Sequence, residues 1–211
     1  PVGAVTTNHD AILDMLKRLS REQVVLMPTT NSAYGSGDSG HHCDESSELR
    51  PISLYAVEKV KVEQALMQRD LAVSFRLATV FGMSPRMRID LLVNDFTYRA
   101  VTGRCVVLFE SHFKRNYIHI RDVARVFLHA LSNLERMCGQ IYNVGLSDAN
   151  LSKRELCEAI RRHVPDFEYL EAPVSKDPDQ RNYIVSNAKI EATGFRPVHT
   201  LDSGIRELLK G

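Results

Sequence analysis

The 211-residue chain lacks an excess of charge of either sign, a long apolar run and a closely spaced pair of cysteines. Its 27 Lys and Arg stand against 26 Asp and Glu, and a net charge of +1 gives no strong attraction to nucleic acid or to an anionic membrane. No apolar run reaches the roughly 20 residues that span a bilayer, and no secretory signal opens the sequence. These absences predict a cytoplasmic protein that binds neither nucleic acid nor membrane.

The four cysteines, at positions 43, 105, 138 and 157, form no CxxC pair. Without a secretory signal we expect them to be reduced thiols. His41, His42 and Cys43 are direct neighbours in the sequence, and adjacent residues rarely form a good chelate. No second group has the spacing of metal ligands, so the sequence predicts no metal site.

Helical and extended patterns alternate along the chain, as in an α/β fold with a parallel sheet. The strand pattern predicts strands at residues 23–27, 71–77, 106–109, 116–120, 141–144 and 167–170. Apolar spacing predicts helices at residues 6–19, 53–69, 89–101, 121–134, 152–163, 187–192 and 201–209. Residues 1–4 are interpreted as the end of a strand or its loop, and residues 31–53 as a long polar loop of the kind that is usually functional or disordered. Ser152 and Glu155 have the spacing of a capping box.

Three side chains near the long polar loop have the right chemistry for proton transfer. Thr30 follows the strand at 23–27, and Tyr55 and Lys59, at i and i+4, share one face of the next helix. A Tyr hydroxyl with a pKa of about 10 is a poor base at neutral pH, and a neighbouring ammonium lowers that pKa. With Thr30 on the reacting oxygen, the set suits removal of a proton from a secondary alcohol while its carbon loses hydride, for which a nicotinamide is the usual acceptor. Tyr-x-x-x-Lys alone is a weak signal, because a helical Tyr is more often a packing residue.

The surrounding motifs resemble the extended short-chain dehydrogenase/reductases, in particular the NAD-dependent nucleotide-sugar epimerase/dehydratase family, along essentially the whole chain. Residues 30–35, TNSAYG, resemble the family's Ser/Thr-x-x-x-Tyr-Gly segment, and residues 51–59 its proline-led Tyr-x-x-x-Lys segment. Further similar segments are residues 76–82, 115–124 and 142–145, although Thr79 and Phe81 replace the usual Asn and Tyr.

The resemblance implies a Rossmann-like doubly wound parallel sheet, its N-terminal strands absent from this chain, with a smaller α/β substrate-binding lobe. Residues 1–82 would be the C-terminal part of the dinucleotide-binding domain. Residues 83–211 would form mainly the nucleotide-sugar lobe, with residues 116–145 returning to the sheet. A homodimer through the helices at 6–19 and 53–69 is also implied, since two helices per subunit pair in the family.

The resemblance also implies roles for individual residues. Thr30, Tyr55 and Lys59 would be catalytic. NAD would be the cofactor, with NADP not excluded, and its predicted contacts are Tyr55, Lys59, Thr29, Ala78 and Val80. The predicted substrate contacts are Thr30, Asn31, Ser32, Asn94, Arg86, Arg88, Arg115 and Arg181. Arg115 and Arg181 would grip the substrate pyrophosphate through their planar guanidinium groups, although each could instead be a surface ion-pair partner.

One motif of the family has no counterpart in this sequence. The Gly-x-x-Gly-x-x-Gly loop that would hold the dinucleotide pyrophosphate is missing, because Gly3 is the only glycine before Gly35. We therefore expect the chain to begin roughly a third of the way into such an enzyme. In the family, the loop before the next helix is longer than the span between Gly3 and Asn8, which implies that a flexible loop is missing near residues 3–5.

Within the family, residues 76–88, 91–100 and 142–151 most resemble enzymes that oxidise C4 of a GDP-linked heptose. The predicted function is therefore NAD-dependent oxidation of the C4 hydroxyl of a nucleotide-diphosphate sugar, with a GDP-linked substrate favoured. Asn31 and Ser32 stand where 4,6-dehydratases have Asp-Glu, which disfavours that reaction. The alternatives are a 4-epimerase, a 4-keto reductase and a non-catalytic dinucleotide-binding regulatory protein.

Overall fold

The computed structural model describes residues 2–36, 42–172 and 181–211. The strands of these residues are β1 Val25–Thr30, β2 His42–Cys43, β3 Ala72–Leu77, β4 Thr79–Phe81, β5 Cys105–Leu108, β6 Lys114–His119, β7 Gln140–Val144, β8 Asn150–Ser152, β9 Glu168–Glu171 and β10 Ile184–Val185. The helices are α1 Val2–Val5, α2 Ala11–Arg18, α3 Leu54–Leu66, α4 Leu92–Thr102, α5 Ile120–Ser132, α6 Leu134–Met137, α7 Lys153–Arg161, α8 Ala188–Ala192 and α9 Leu201–Leu208. A π-helical turn, Thr6–Asp10, joins α1 to α2, and a 3-10 helix, Asn31–Tyr34, follows β1.

A parallel sheet in the order β1-β3-β7 organises the molecule. The pairing places Val25 opposite Ala72 and Thr30 opposite Leu77, so β1 and β3 end at the same edge. The helix α3 connects these two parallel strands, as a crossover connection requires. This is the predicted Rossmann-like α/β architecture. In open sheets of this kind ligands bind beyond the carboxyl ends of the strands, which is where Thr30 lies.

The described residues contain three further sheets, one of three strands and two of two strands. They pair β4 with β6 and β8, β5 with β9, and β2 with β10. The largest hydrophobic core joins the parallel sheet to α4, α5 and α7, and Phe75 packs on Phe127 with ring centres 5.0 Å apart. A second core of Val25, Met27, Leu66 and Ala72 lies beneath α2.

The prediction of a strand end or loop at residues 1–4 is wrong over its described part. Val2–Val5 is helical and leads through the π-helical turn into α2. A strand needs a neighbouring strand for its backbone hydrogen bonds, whereas a helix satisfies them within itself. Pro1 lies outside the described residues.

Several predicted boundaries also differ from the structure. The helix predicted from residue 89 begins only at Leu92, because Leu91 has an extended backbone. The long loop predicted at 31–53 contains the 3-10 helix and the two-residue strand β2. Strands of two or three residues, such as β2, β8 and β10, are too short to show a periodic pattern.

The described residues contain neither a membrane-spanning helix nor a metal-binding cluster. In that part of the chain, no helix combines the length and the apolar character needed to cross a membrane. Nor do the described residues bring together three or more His, Cys, Asp or Glu side chains in an arrangement suited to a metal ion.

Candidate active site

Thr30 closes strand β1 and opens the 3-10 helix that follows. Its backbone is extended, with φ −148° and ψ 139°, and its Oγ1 accepts a hydrogen bond from the backbone N–H of Ser32 at 3.1 Å. This is an N-cap arrangement, which satisfies a donor that the short helix would otherwise leave without a partner. The hydroxyl proton of Thr30 stays available for a bound ligand.

Tyr55 and Lys59 lie on α3, which begins after Ser53. The Ser53 hydroxyl caps the helix by accepting from the backbone N–H of Ala56 at 3.2 Å. The Lys59 Nζ atom lies 5.9 Å from the centre of the Tyr55 ring, as the i, i+4 spacing predicts. Tyr55 is 42% exposed, so its ring is accessible at the surface of the site.

A cleft of about 410 Å³ brings the predicted residues from five segments of the chain together. Its lining contains the predicted residues Thr30, Ser32, Tyr55, Ala78, Val80, Arg88 and Arg181. Lys59 lines a small neighbouring void, of which Thr30 also forms a wall. The catalytic hydroxyl, phenol and amine predicted from the sequence are therefore grouped around Thr30.

The electrostatics of Tyr55 differ from the expectation. Burial raises the pKa of Tyr55, and the positive charges that oppose this rise are those of Arg88 and Arg181 rather than that of Lys59. Burial also lowers the pKa of Lys59, because an ammonium is disfavoured away from water. In the protein without ligands, Arg88 and Arg181 thus oppose the effect of burial on the phenol.

A buried polar network lies beneath this cleft. The Glu63 carboxylate accepts from Arg76 Nη2 at 2.7 Å, from Ser74 Oγ at 2.7 Å and from Thr29 Oγ1 at 2.9 Å. Arg76 also donates to the Tyr34 hydroxyl at 3.0 Å, and burial raises the pKa of Tyr34 to about 12. Thr29, a predicted cofactor contact, therefore directs its hydroxyl into the protein.

Four predicted substrate contacts do not line the cleft. Arg86 is exposed, and Arg115 is 1% exposed, with its guanidinium 5.6 Å from the Tyr183 ring centre. Asn94 is buried, and its amide bonds to the protein itself, since it accepts from Gly82 N at 3.1 Å and donates to Arg88 O at 3.0 Å. Asn31 is buried, and its amide atoms have no hydrogen-bond partner in the described part of the chain. Their contact with a substrate stays a prediction.

Sequence reasoning missed other residues of the site. Leu77, Thr79, Leu91 and Tyr183 also line the cleft. Leu77 and Thr79 lie in the segment 76–82 that resembles the family. They could have been predicted there, because they alternate with the predicted contacts Ala78 and Val80. Leu91 and Tyr183 carried no local signal. Glu63 could have been found, because it continues the spacing of Tyr55 and Lys59 by one further helical turn.

The family of the chain follows from a comparison of its sequence. The model of the NAD dependent epimerase/dehydratase family matches residues 2–145, more than half of the chain. The chain belongs to this family.

Individual relatives have low sequence identity to this chain. An uncharacterised protein of Schizosaccharomyces pombe is 24% identical over 222 residues, and the match covers 86% of this chain and 59% of that protein. The chain is therefore shorter than its relatives, and it spans little more than half of this one.

The fold is shared with solved structures that include two UDP-glucose 4-epimerases. The Thermus thermophilus UDP-glucose 4-epimerase in complex with NAD is 25% identical, with a TM-score of 0.81, and the match covers 98% of this chain and 70% of that one. The Thermotoga maritima UDP-glucose 4-epimerase with UDP-glucose is 24% identical, with a TM-score of 0.83 and coverage of 98% and 69%.

Proposed function

We propose that this chain carries the catalytic residues of an NAD-dependent oxidoreductase acting on the C4 hydroxyl of a nucleotide-diphosphate sugar. The observation that carries the proposal is that Thr30 and Tyr55, from different elements, line one cleft together with Arg88 and Arg181. Hydroxyl groups beside two guanidinium groups suit a substrate that has an alcohol at one end and phosphates at the other.

Each catalytic residue has a separate task. Thr30 already accepts from the backbone at Ser32, so its own proton can be donated to the sugar oxygen and hold that oxygen in place. Tyr55 accepts the proton of the sugar hydroxyl. Lys59, one turn along α3, supplies a positive charge near the ring and a donor for a ribose hydroxyl.

The chemistry of the cleft fits the nicotinamide end of NAD. Ala78, Val80 and Leu91 offer an apolar wall to a flat ring, and Thr30 and Tyr55 stand beside it. NADP would meet the same residues. When bound, the cofactor supplies the two-electron acceptor that carbon oxidation needs.

The identity of the sugar belongs to the same proposal. Similarity of residues 76–88 and 91–100 to GDP-heptose 4-dehydrogenases supports a GDP-linked heptose as substrate. Arg88 and Arg181 would contact the diphosphate. Arg115 could join them only after turning out of its buried position over Tyr183.

A 4-epimerase is the second candidate function. A likeness to the Thermus thermophilus UDP-glucose 4-epimerase, which is 25% identical to this chain, supports this candidate. An epimerase releases no reduced cofactor, whereas a dehydrogenase accumulates it. Absorbance at the NADH band after mixing with candidate nucleotide sugars, followed by chromatography of the sugar product, separates the two functions.

The replacement Tyr55→Phe tests the proposed chemistry. Loss of the general base should lower kcat by about 10²–10⁴-fold, while the dissociation constant of the nucleotide sugar changes little. Tyr98→Phe is the matched control, because Tyr98 is exposed on α4 and does not line the cleft. Turnover of Tyr55→Phe equal to that of Tyr98→Phe would rule out this mechanism.

We also infer a homodimer in which α2 and α3 of two subunits pair. The helix α2 has no fully buried residue, although its apolar side chains Ile12 and Leu16 pack on the second core. Met15 on α2 and Leu54 at the start of α3 are exposed. Exposed apolar side chains on neighbouring helices support an interface there.

A further inference from the structure

Tyr55 has two cationic neighbours that come from outside its own helix. Arg88 lies on the segment between β4 and α4, Arg181 lies shortly before β10, and both line the cleft that Tyr55 lines. We propose that Arg88 and Arg181 are positioning residues for the proposed reaction, whose charges favour the ionised hydroxyl of Tyr55 before the substrate binds. This inference deepens the proposed function and rests on it.

The segment that carries Arg88 is held at both ends by one buried side chain. The Asn94 Oδ1 atom accepts from the backbone N–H of Gly82 at 3.1 Å, and its Nδ2 donates to the backbone carbonyl of Arg88 at 3.0 Å. Asp90 accepts from Arg88 Nε at 3.1 Å and fixes the guanidinium. The loop at 82–88 therefore presents Arg88 from a defined backbone position.

Arg181 is held from the catalytic segment itself. Its Nη1 atom donates to the Ser32 hydroxyl, and Ser32 lies in the 3-10 helix that Thr30 caps. The position of this guanidinium is thus linked to the same turn that orients the Thr30 hydroxyl. Each guanidinium of the cleft lining thus has a separate contact within the protein, Asp90 for Arg88 and Ser32 for Arg181.

The other charged groups around Tyr55 do not cancel these charges. Lys59 on the same helix adds a further cation at 5.9 Å from the ring centre. Glu58, also on α3, is buried against Lys61 at 2.8 Å, and its second oxygen lies 3.7 Å from His9. Asp90 offsets part of the charge of Arg88. Tyr183 is the remaining titratable group of the lining.

The physical consequence concerns the ionised phenol. Burial disfavours the phenolate of Tyr55, and the charges of Arg88 and Arg181 favour it. A bound diphosphate would offset both charges, so the effect belongs to the protein before the substrate binds. Removing either charge should make Tyr55 harder to ionise even when no substrate or cofactor is present.

The test is a titration of Tyr55 in the 211-residue chain without cofactor. Tyrosines labelled with ¹³C at the ring carbon that bears the hydroxyl are followed by NMR against pH, and Tyr55→Phe identifies the Tyr55 signal. Arg88→Gln and Arg181→Gln should each move the titration midpoint to higher pH, and the double variant should move it further. Arg88→Lys, which keeps the charge, should return the midpoint towards that of the parent.

Arg104→Gln is the matched control. The Arg104 side chain is 66% exposed, as is that of Arg88, and it also pairs with an aspartate, but it does not line the cleft. The Tyr55 midpoint in this variant should equal that of the parent chain. The inference is overturned if Arg88→Gln and Arg181→Gln titrate like the parent, or if Arg104→Gln shifts Tyr55 equally, since that would be a general charge effect.

The turnover assay tests the proposed function and the titration tests the positioning role, so each proposal can be refuted without the other. Normal turnover of the Tyr55→Phe variant would refute the proposed function, and the result of the titration would still stand. An unchanged midpoint in the arginine variants, with inactive Tyr55→Phe, would refute only the positioning role of Arg88 and Arg181.

Discussion

His119 is a buried titratable residue where strand β6 meets α5. Its Nδ1 accepts from the backbone N–H of Arg121 at 3.2 Å, and its Nε2 lies 2.9 Å from Glu207 Oε2. The ring also stacks on His199, with centres 4.5 Å apart. Burial lowers the pKa of His119, with Glu207 acting in the opposite direction. The folded protein therefore favours the neutral ring.

This environment predicts a loss of stability in mild acid. Above a pH of about 6.5 both the folded and the unfolded chain hold a neutral ring, and the contribution of His119 is fully present. As the pH falls below that value, the unfolded chain binds a proton that the folded chain does not, so the free energy of unfolding decreases until the folded pKa is reached. Urea unfolding at about pH 7.5 and about pH 5.5 measures this effect. From the higher to the lower pH, the free energy of unfolding should decrease more in the parent than in His119→Gln.

His112→Gln is the control for this measurement. His112 is exposed. In His112→Gln the free energy of unfolding should therefore change between the two pH values by as much as it does in the parent. Equal losses in the parent and in His119→Gln would mean that other groups cause the acid sensitivity.

The elements α3 and β3 are joined by a buried ion pair. The side chains of Glu63 and Arg76 are both almost completely buried, with Oε1 and Nη2 2.7 Å apart. Glu63 is one helical turn beyond Lys59 on α3, so one face of the helix carries both the proposed catalytic groups and their anchor. The pair fixes how α3 sits on the sheet, and therefore where Tyr55 and Lys59 point.

Breaking this pair should cost much of the stability of the domain. Glu63→Gln leaves the Arg76 charge buried without its counter-ion, and the free energy of unfolding should fall by about 3–5 kcal/mol. In the double variant Glu63→Met, Arg76→Met no charge is stranded, so its loss should be smaller than the sum of the two single losses. Chemical denaturation measures all of these values.

An exposed ion pair provides the matched control. Arg104 and Asp166 are 3.0 Å apart, with side chains 66% and 73% exposed. Asp166→Asn should cost less than about 1 kcal/mol, because water screens the pair. If Glu63→Gln cost no more than Asp166→Asn, the ion pair would not be the anchor of α3.

At the scale of the whole molecule, the proposed dimer interface can be tested directly. Met15, 39% exposed on α2, has no fully buried neighbour on its helix. A carboxylate at this position would be buried without a partner in the proposed interface, which is strongly unfavourable. Met15→Glu should therefore elute as a monomer in size-exclusion chromatography with light scattering, while the parent elutes as a dimer.

Val198→Glu is the control for the dimer prediction. Val198 is more exposed than Met15, and its backbone N–H donates to Asp122 on α5, not to α2 or α3. This variant should keep the mass of the parent. A monomeric parent, or a Met15→Glu variant with the parent's mass, would contradict the proposed interface.

The sequence by itself determined the features that depend on neighbouring residues. Tyr55 and Lys59 share a face because the geometry of a helix fixes their spacing. The capping box of α7 is confirmed, since Ser152 Oγ accepts from Glu155 N at 3.1 Å and Glu155 Oε2 accepts from Ser152 N at 2.7 Å. Alternating helices and strands likewise predicted the parallel α/β sheet, because their patterns are local.

Only the tertiary structure decided which side chains meet. Arg181 and Ser32 are 149 positions apart, yet they form one wall of the cleft. Asn94 has the side chain expected of a substrate contact, but the fold uses its amide to hold the loop before α4. The direction of a side chain and the charges that reach it depend on packing between distant segments, and no local pattern in the sequence records that packing.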